Sequence, residues 1–431
     1  MVSEHSSVPA WAGTLLLVLV LGALALRVNA KLAVSPDSGA GMWAMQDFRN
    51  AVYYPAVAVH EGVNPYDRKL YESRFFTGRQ GFPAYSPLSV LLHAPFRLLP
   101  YQASAWAYFV LVAALTLCFA FWTLHLAGGR DPAERAGPAF FLAAALLASR
   151  PGYMNIFNGQ ITMPLVLGSL AALEFGGRRP VAGGLGLALA TLKPTYAVPL
   201  AVVMLARGQF RAVVVGTLAG SLGAFVSALW IGAHSGGLAS FVQVLIANVE
   251  NSGAASTAAA LTSWTRVDVA SLLARAFHWE PGLFGSIWVA AVVLVLAVGA
   301  LRYLHAATMD DDGACGLAGL IAALAVLIGV YHQPYDVLLV APMLVALLMN
   351  ERAYARELSR GARTALIVCL GIPFANYVAT DMVLAGITPS RTAWLAIVSI
   401  DAAALTLAFA IAVGAALAGG VSVDADGDLQ S

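Results

Sequence analysis

The chain has 431 residues, of which 60% are hydrophobic and only 11% charged, with a mean hydropathy of +0.77. An ordinary soluble domain carries roughly 25% charge, so one soluble core cannot hide this much apolar surface, and most of the chain must face lipid or other membrane helices. The net charge of +1 leaves no basic stripe for a phosphate backbone, which argues against nucleic acid as a partner.

A membrane-spanning helix needs about 20 apolar residues. In chain order the apolar runs are 10–28, 86–100, 103–127, 138–149, 160–176, 181–206, 211–232, 283–306, 315–331, 335–349, 362–385 and 391–419. They predict an all-α, polytopic integral membrane protein with 10 to 12 segments in a single unit spanning 1–431. The first run lacks a positive leader region and reads as a retained signal anchor. The acidic end, 420–431, reads as a disordered tail. Cys118, Cys315 and Cys369 sit in or beside apolar segments and read as small buried residues.

Three polar stretches interrupt this pattern: 30–85, 233–282 and the acidic turn 309–316. The other connections are short and basic. The strongest, 350–363, holds four arginines and marks the cytoplasmic side. The run 181–206 has arginines at both ends, Arg178 and Arg179 before it and Arg207 and Arg211 after it. Pro194 breaks helices, so the favoured reading is a broken hairpin that aims Lys193 into a cavity. A straight helix with Lys193 snorkelling is the alternative.

The first polar stretch is rich in chemistry. It places Asp47 and Arg49 two residues apart at the mouth of a helix, then Tyr53, Tyr54, Asn64, Tyr66 and Tyr85. An interfacial aromatic belt explains the tyrosines but not the charges. Asn64-Pro65 starts a turn, and Pro87 suits the first turn of a helix. Later come Asn158 and Gln160 around Gly159, expected at a helix start, and then Lys193. His332 and Asp336 follow, four residues apart in "YHQPYD". Ionisable residues at membrane depth are functional candidates. Glu61 and Asp67 read as solvent-facing. Trp264 and Arg266 fit a sugar platform or a belt equally well. No zinc spacing, Walker loop or Ser/Cys nucleophile motif is present.

The segments "DFRNAVYYPAVAVHEGVNPYD", "AYSPLSVLLHAPFRLLP", "NGQ" and "ALATLKPTYAVPL", in that order over residues 40–200, resemble glycosyltransferase family 87. Beyond residue 210 the resemblance rests on "VENS" at 249–252 and "YHQPYDVLLVAP" at 331–342. It implies a fold of the GT-C superfamily with a large first extracytoplasmic loop, 30–85, in the plasma membrane. It implies a sugar, mannose or arabinofuranose, carried on a polyprenyl phosphate and moved to a glycolipid or cell-envelope glycan. By motif position the catalytic base is Asp47. No cofactor is implied. A divalent cation is not indicated, because Asp47 stands without the second acid of the Asp-x-Asp pair that some relatives carry.

The physics of the residues agrees with that role. Inverting transfer needs a group to take the acceptor hydroxyl proton, and partial burial raises a carboxylate towards the working pH. A phosphate leaving group needs cations, for which Arg49, Arg68, Lys69, Arg150 and Lys193 are candidates, Arg49 and Lys193 foremost. His332 would pair with Asp47 as an acid–base dyad or bond the donor phosphate, and Asp336 joins it in substrate binding. The competing readings are a secondary transporter, which would show two repeated halves with matching broken helices, and a lipid-binding scaffold without chemistry.

Overall fold

The computed structural model describes residues 8–32, 43–75, 85–128, 135–251, 259–308, 313–349, 354 and 358–419. The tail 420–431, the acids 310–312 and residues 350–353 and 355–357 lie outside the described residues, as do Phe76 and Phe82 of the aromatic loop. Every regular element among the described residues is helical, and the protein is a polytopic membrane protein.

Among the described residues, six helices are long and apolar enough to cross a membrane: α1 (Ala10–Leu32), α5 (Tyr101–Gly128), α11 (Phe210–His234), α14 (Gly282–Thr308), α17 (Arg360–Ala375, continuing through 377–379) and α19 (Arg391–Gly419). The remaining apolar runs form shorter helices. These are α4 (Pro87–His93), α6 (Ala136–Ala148), α7 (Arg150–Asn158), α8 (Thr162–Phe175), α9 (Pro180–Ala190), α10 (Pro194–Ala206), α15 (Leu317–Gly329) and α16 (Ala341–Met349). The polar stretches add α2 (Tyr54–His60), α3 (Arg68–Arg74), α12 (Leu238–Asn251) and α13 (Val269–Phe277), and α18 (Asp381–Ile387) follows α17. A count of 10 to 12 segments therefore resolves into full spans plus half-length pieces. The pieces exist because Pro, Gly and polar residues break the runs.

The run 181–206 is one such pair. Pro194 removes a backbone donor, and Lys193 adopts an extended conformation (φ −129°, ψ 104°) between α9 and α10. At about 1.5 Å per residue these helices are ~16 and ~20 Å long, short of a ~30 Å hydrocarbon core. The two ends of the pair meet. A Cβ on Gly183, at the start of α9, would lie 2.6 Å from Gly176 Cα, and a Cβ on Gly176 would strike Gln209, just past α10. The segment is thus a hairpin with Lys193 at its tip, not a straight span.

A second pair mirrors it. Helix α15 leads to a 3-10 turn (Pro334–Val340) and then α16. The base of this pair is tied to the base of the first. Ala314 N–H donates to Glu174 at 2.9 Å, Arg207 donates to Gly313 O at 3.2 Å, and Tyr354 OH donates to Cys315 O. Its tip, Tyr331–Gln333, faces the Lys193 tip. Helix α15 is buried along nearly its whole length, which makes it the axis of the bundle, while α11 and α14 expose Leu218, Leu222, Val292 and Val295. A helix hydrophobic all round belongs in such an interior, and apolar exposed faces suit lipid.

Candidate functional site

Four chain breaks converge at one level of the bundle. The first is the entry to α2. Residues Phe48–Tyr53 form a π-helix, in which Tyr54 N–H reaches back five residues to Arg49 O. Pro55 supplies the reason: it has no N–H, and its ring would crowd the carbonyl four residues earlier, so the turn widens. Asp47 flanks this π-helix on its N-terminal side.

The second break is the end of α7. Asn158 is its last residue, and Gly159 turns the chain with φ 69°. A Cβ there would lie 2.9 Å from Met45 Sδ and 3.3 Å from Phe48 N, so only glycine allows the two breaks to touch. Asn158 therefore ends a helix rather than starting one. Gln160 follows, buried, with its N–H on Asn155 O at 2.9 Å. Its side-chain Nε2 donates to Asp47 Oδ2, and its Oε1 accepts from Tyr85 OH at 2.7 Å. Asp47 is enclosed by protein atoms although part of its surface stays accessible. Burial dominates and pushes its carboxyl from 3.8 up to about 7, against the opposing pull of Lys193 and the Gln160 hydrogen bond.

The third and fourth breaks are the two hairpin tips. Lys193 Nζ donates to Asp336 Oδ2 at 2.6 Å, and Tyr196 OH donates to Asp336 Oδ1 at 2.9 Å. Gln333 N–H also donates to Asp336 Oδ2 at 2.9 Å, which starts the 3-10 turn. Lys193 Nζ lies over the rings of Tyr196 (5.5 Å) and Tyr335 (5.4 Å). Ser86 N–H donates to Leu192 O at 2.9 Å, which fastens the Tyr85 segment to the Lys193 tip.

His332 does not join Asp47 in a hydrogen bond among the described residues. Its ring stands edge-on to Tyr196 at 4.8 Å, and its Nδ1 faces Val330 O at 3.2 Å. Burial pushes its pKa down to about 4, so the ring is neutral, with Nδ1–H donating and Nε2 left as a buried acceptor. Val267 N–H donates to His332 O at 3.1 Å and brings the second polar stretch to this tip.

Arg49 and Asp47 share no ion pair among the described residues. The Arg49 guanidinium instead lies over Trp43 (5.5 Å), Tyr54 (5.4 Å) and Tyr101 (6.0 Å). Tyr53 OH donates to Leu99 O, Asn64 Oδ1 accepts from Tyr66 N–H, and Tyr66 OH donates to Tyr85 O at 2.8 Å. These three hold the loop that carries Tyr85. Arg150 is not a free cation: it is buried against Asp401 and also donates to Ala379 O at 2.6 Å. Arg68 pairs with Glu72, and Lys69 is exposed. Glu61 pairs with Arg74, Asp67 caps α3, and Arg266 grips Asp268 through two hydrogen bonds.

Sequence reasoning passed over Tyr108, Tyr196 and Tyr335. Tyr108 OH donates to Gln160 O at 3.0 Å from inside α5, where an aromatic carries no signal of its own. Tyr196 and Tyr335 each stand next to a singled-out polar residue, in "KPTY" and "HQPYD". Among the described residues no group of three or more His, Cys, Asp or Glu could hold a metal ion.

Fold and site together define a polytopic membrane protein with a buried polar cluster built from helix breaks. The family model of glycosyltransferase family 87 matches residues 82–329, more than half the chain, and the chain belongs to that family. It is therefore a membrane glycosyltransferase. The matched range includes Tyr85, Gln160 and Lys193, starts after Asp47 and stops before His332. It also runs well past residue 210, where the quoted motifs thin out. No match was found among curated proteins or among solved structures.

Proposed function

We propose that the protein moves a sugar, mannose or arabinofuranose, from a polyprenyl-phosphate donor to a glycolipid or cell-envelope glycan, with Asp47 as general base. The observation that carries this reading is the state of Asp47. Asp47 is a half-buried residue outside the membrane-spanning helices whose carboxylate has one amide donor, is raised to about 7 and faces a lysine across the cluster. An acceptor hydroxyl oxygen attacks the anomeric carbon as the bond to the phosphate oxygen breaks. Asp47 takes the hydroxyl proton, and polyprenyl phosphate leaves as an anion.

Lys193 is the cation for that anion. Its bond to Asp336 holds it at the hairpin tip, and the rings of Tyr196 and Tyr335 wall it from water, which strengthens its pull on charge. Arg49, spread on three aromatic rings at the loop side, is the second candidate for the donor or the sugar. Tyr54 shares its platform. His332, neutral and with Nε2 as an acceptor, suits a sugar hydroxyl better than a phosphate oxygen. Asn158 lines the same turn as Gln160.

The orientation that fits is a plasma-membrane one, with the site facing the extracytoplasmic side. Arg178, Arg179, Arg207 and Arg211 gather at the opposite ends of the hairpins, which supports placing those ends in the cytoplasm. The whole chain then acts as one catalytic unit.

Polyprenyl phosphate alone, titrated into the protein in lipid nanodiscs, tests the donor assignment. Saturable binding that is lost in the double variant Lys193→Met with Asp336→Asn supports it. Equal binding by wild type and variant would remove Lys193 from the donor site.

A further inference from the structure

We propose that Tyr85 and Gln160 are positioning residues for Asp47: the Tyr85 hydroxyl fixes the Gln160 amide so that its NH2 group, and not its oxygen, faces the carboxylate. The proposal deepens the reading of Asp47 as base and rests on it.

A glutamine amide has a donor end and an acceptor end, and nothing in its own shape chooses between them. Here the neighbours choose together: ionised Asp47 only accepts and so calls for the NH2 end, and the Tyr85 hydroxyl completes that arrangement by donating to the oxygen end. Tyr85 OH, 2.7 Å from Gln160 Oε1, donates a hydrogen bond that holds the oxygen away from Asp47. Nε2 is then left to donate to Asp47 Oδ2. The glutamine main chain is clamped on both sides, its N–H on Asn155 O and its carbonyl on Tyr108 OH at 3.0 Å. Tyr85 is fastened in turn by Tyr66 OH on its carbonyl, and the next residue, Ser86, by Leu192 O.

The reversed amide would set Gln160 Oε1 against a carboxylate oxygen. Two acceptors would face each other, and only a protonated Asp47 could bridge them. A protonated Asp47 cannot take a proton from an acceptor hydroxyl. The Tyr85 hydroxyl therefore favours the ionised, working form of the acid through an intervening residue.

The titratable and charged groups around Asp47 make Gln160 the controlling partner. Lys193 faces it from the α9–α10 tip but is bonded to Asp336. Tyr108 faces it from α5, Tyr335 from the 3-10 turn, and Tyr85 from the segment before α4, where Asp336 also acts. Among the described residues, Gln160 alone hydrogen-bonds the Asp47 carboxylate.

The test uses the full chain in lipid nanodiscs. Infrared spectra recorded across pH, in the carboxyl stretching region, with the Asp47→Asn spectrum subtracted, locate the protonation midpoint of Asp47 without any substrate. In Tyr85→Phe the midpoint should rise by about one pH unit, and in Gln160→Leu by more. Tyr71→Phe removes another buried hydroxyl, one that donates to Asn50 O, and should leave the midpoint in place. Transfer by Tyr85→Phe should recover at higher pH, with its acid limb moved by the same amount. A merely structural role would lower the rate at every pH.

Midpoints in both variants that coincide with wild type would overturn the proposal. If Gln160→Leu does not fold, Tyr85→Phe decides alone. An inactive Asp47→Asn with unmoved midpoints sinks the positioning role and spares the base. Full transfer by Asp47→Asn sinks the base and the positioning role with it.

Discussion

Two aspartates in this bundle sit in opposite circumstances. Asp401, on α19, is closed in by Arg150 and by Asn376 Nδ2 at 2.8 Å, and Arg150 also ties to Ala379 O. That junction joins α7, α19 and the turn after α17, and the cation pays for the burial of the anion. Asp47 is only half-buried, has an amide as its one hydrogen-bond partner among the described residues and keeps part of its surface open. A carboxylate that the fold has satisfied holds helices together. A carboxylate that the fold has left short of partners is available to a substrate proton.

The sharpest way to break this contrast is to neutralise each acid in turn. Asp47→Asn should cut transfer by at least ~10²-fold with the protein still monodisperse and helical, since general-base help is worth ~10²–10⁴. Asp401→Asn should do the reverse. It strands Arg150 in the interior, at a cost of ~3–5 kcal/mol, and should lower folded yield and apparent Tm while leaving the rate per folded molecule near wild type. Size exclusion, circular dichroism and transfer rates measured on the same samples decide both.

A second, smaller effect concerns Lys193. Lys193→Met should raise the KM for the donor more than that for the acceptor. Alone it also strands Asp336, so the double variant with Asp336→Asn should regain folded yield without regaining donor affinity.

The pH dependence comes third. Asp47 works as a base only when ionised, so the rate should climb as pH rises towards about 7 and flatten above it. Asp401→Asn should keep that limb.

The smallest effect is on stability. The folded state holds the Asp47 proton more tightly than the ordinary value of 3.8 would, so ionising it destabilises the fold as pH rises from 3.8 through about 7. Asp47→Asn removes that penalty and should raise apparent Tm above pH 7, with little change near pH 4. Thermal melts in nanodiscs at the two pH values check it.

Much of the scaffold was legible because lipid imposes a simple rule on composition. The run 103–127 became α5 at 101–128, and 391–419 became α19 within the same limits. Pro194 announced the break at Lys193 because its lost donor is a local fact. Partners were another matter. Lys193 meets Asp336 across 143 residues and Arg150 meets Asp401 across 251, and no local pattern encodes either pairing. That is why Arg150 read as a free cation and why His332 read as a partner for Asp47. The π-helix before Tyr54 was also invisible, since Pro55 follows ordinary apolar residues and its effect depends on the turn before it.

The most direct test of Asp47 as the base is transfer itself. Wild type and Asp47→Asn, purified into nanodiscs, would be given radiolabelled mannosyl- and arabinofuranosyl-phosphopolyprenol with a lipid extract of the host membrane. Label passing to a new lipid or glycan with wild type only is the predicted result. Equal transfer by Asp47→Asn would contradict it and remove Asp47 from the chemistry.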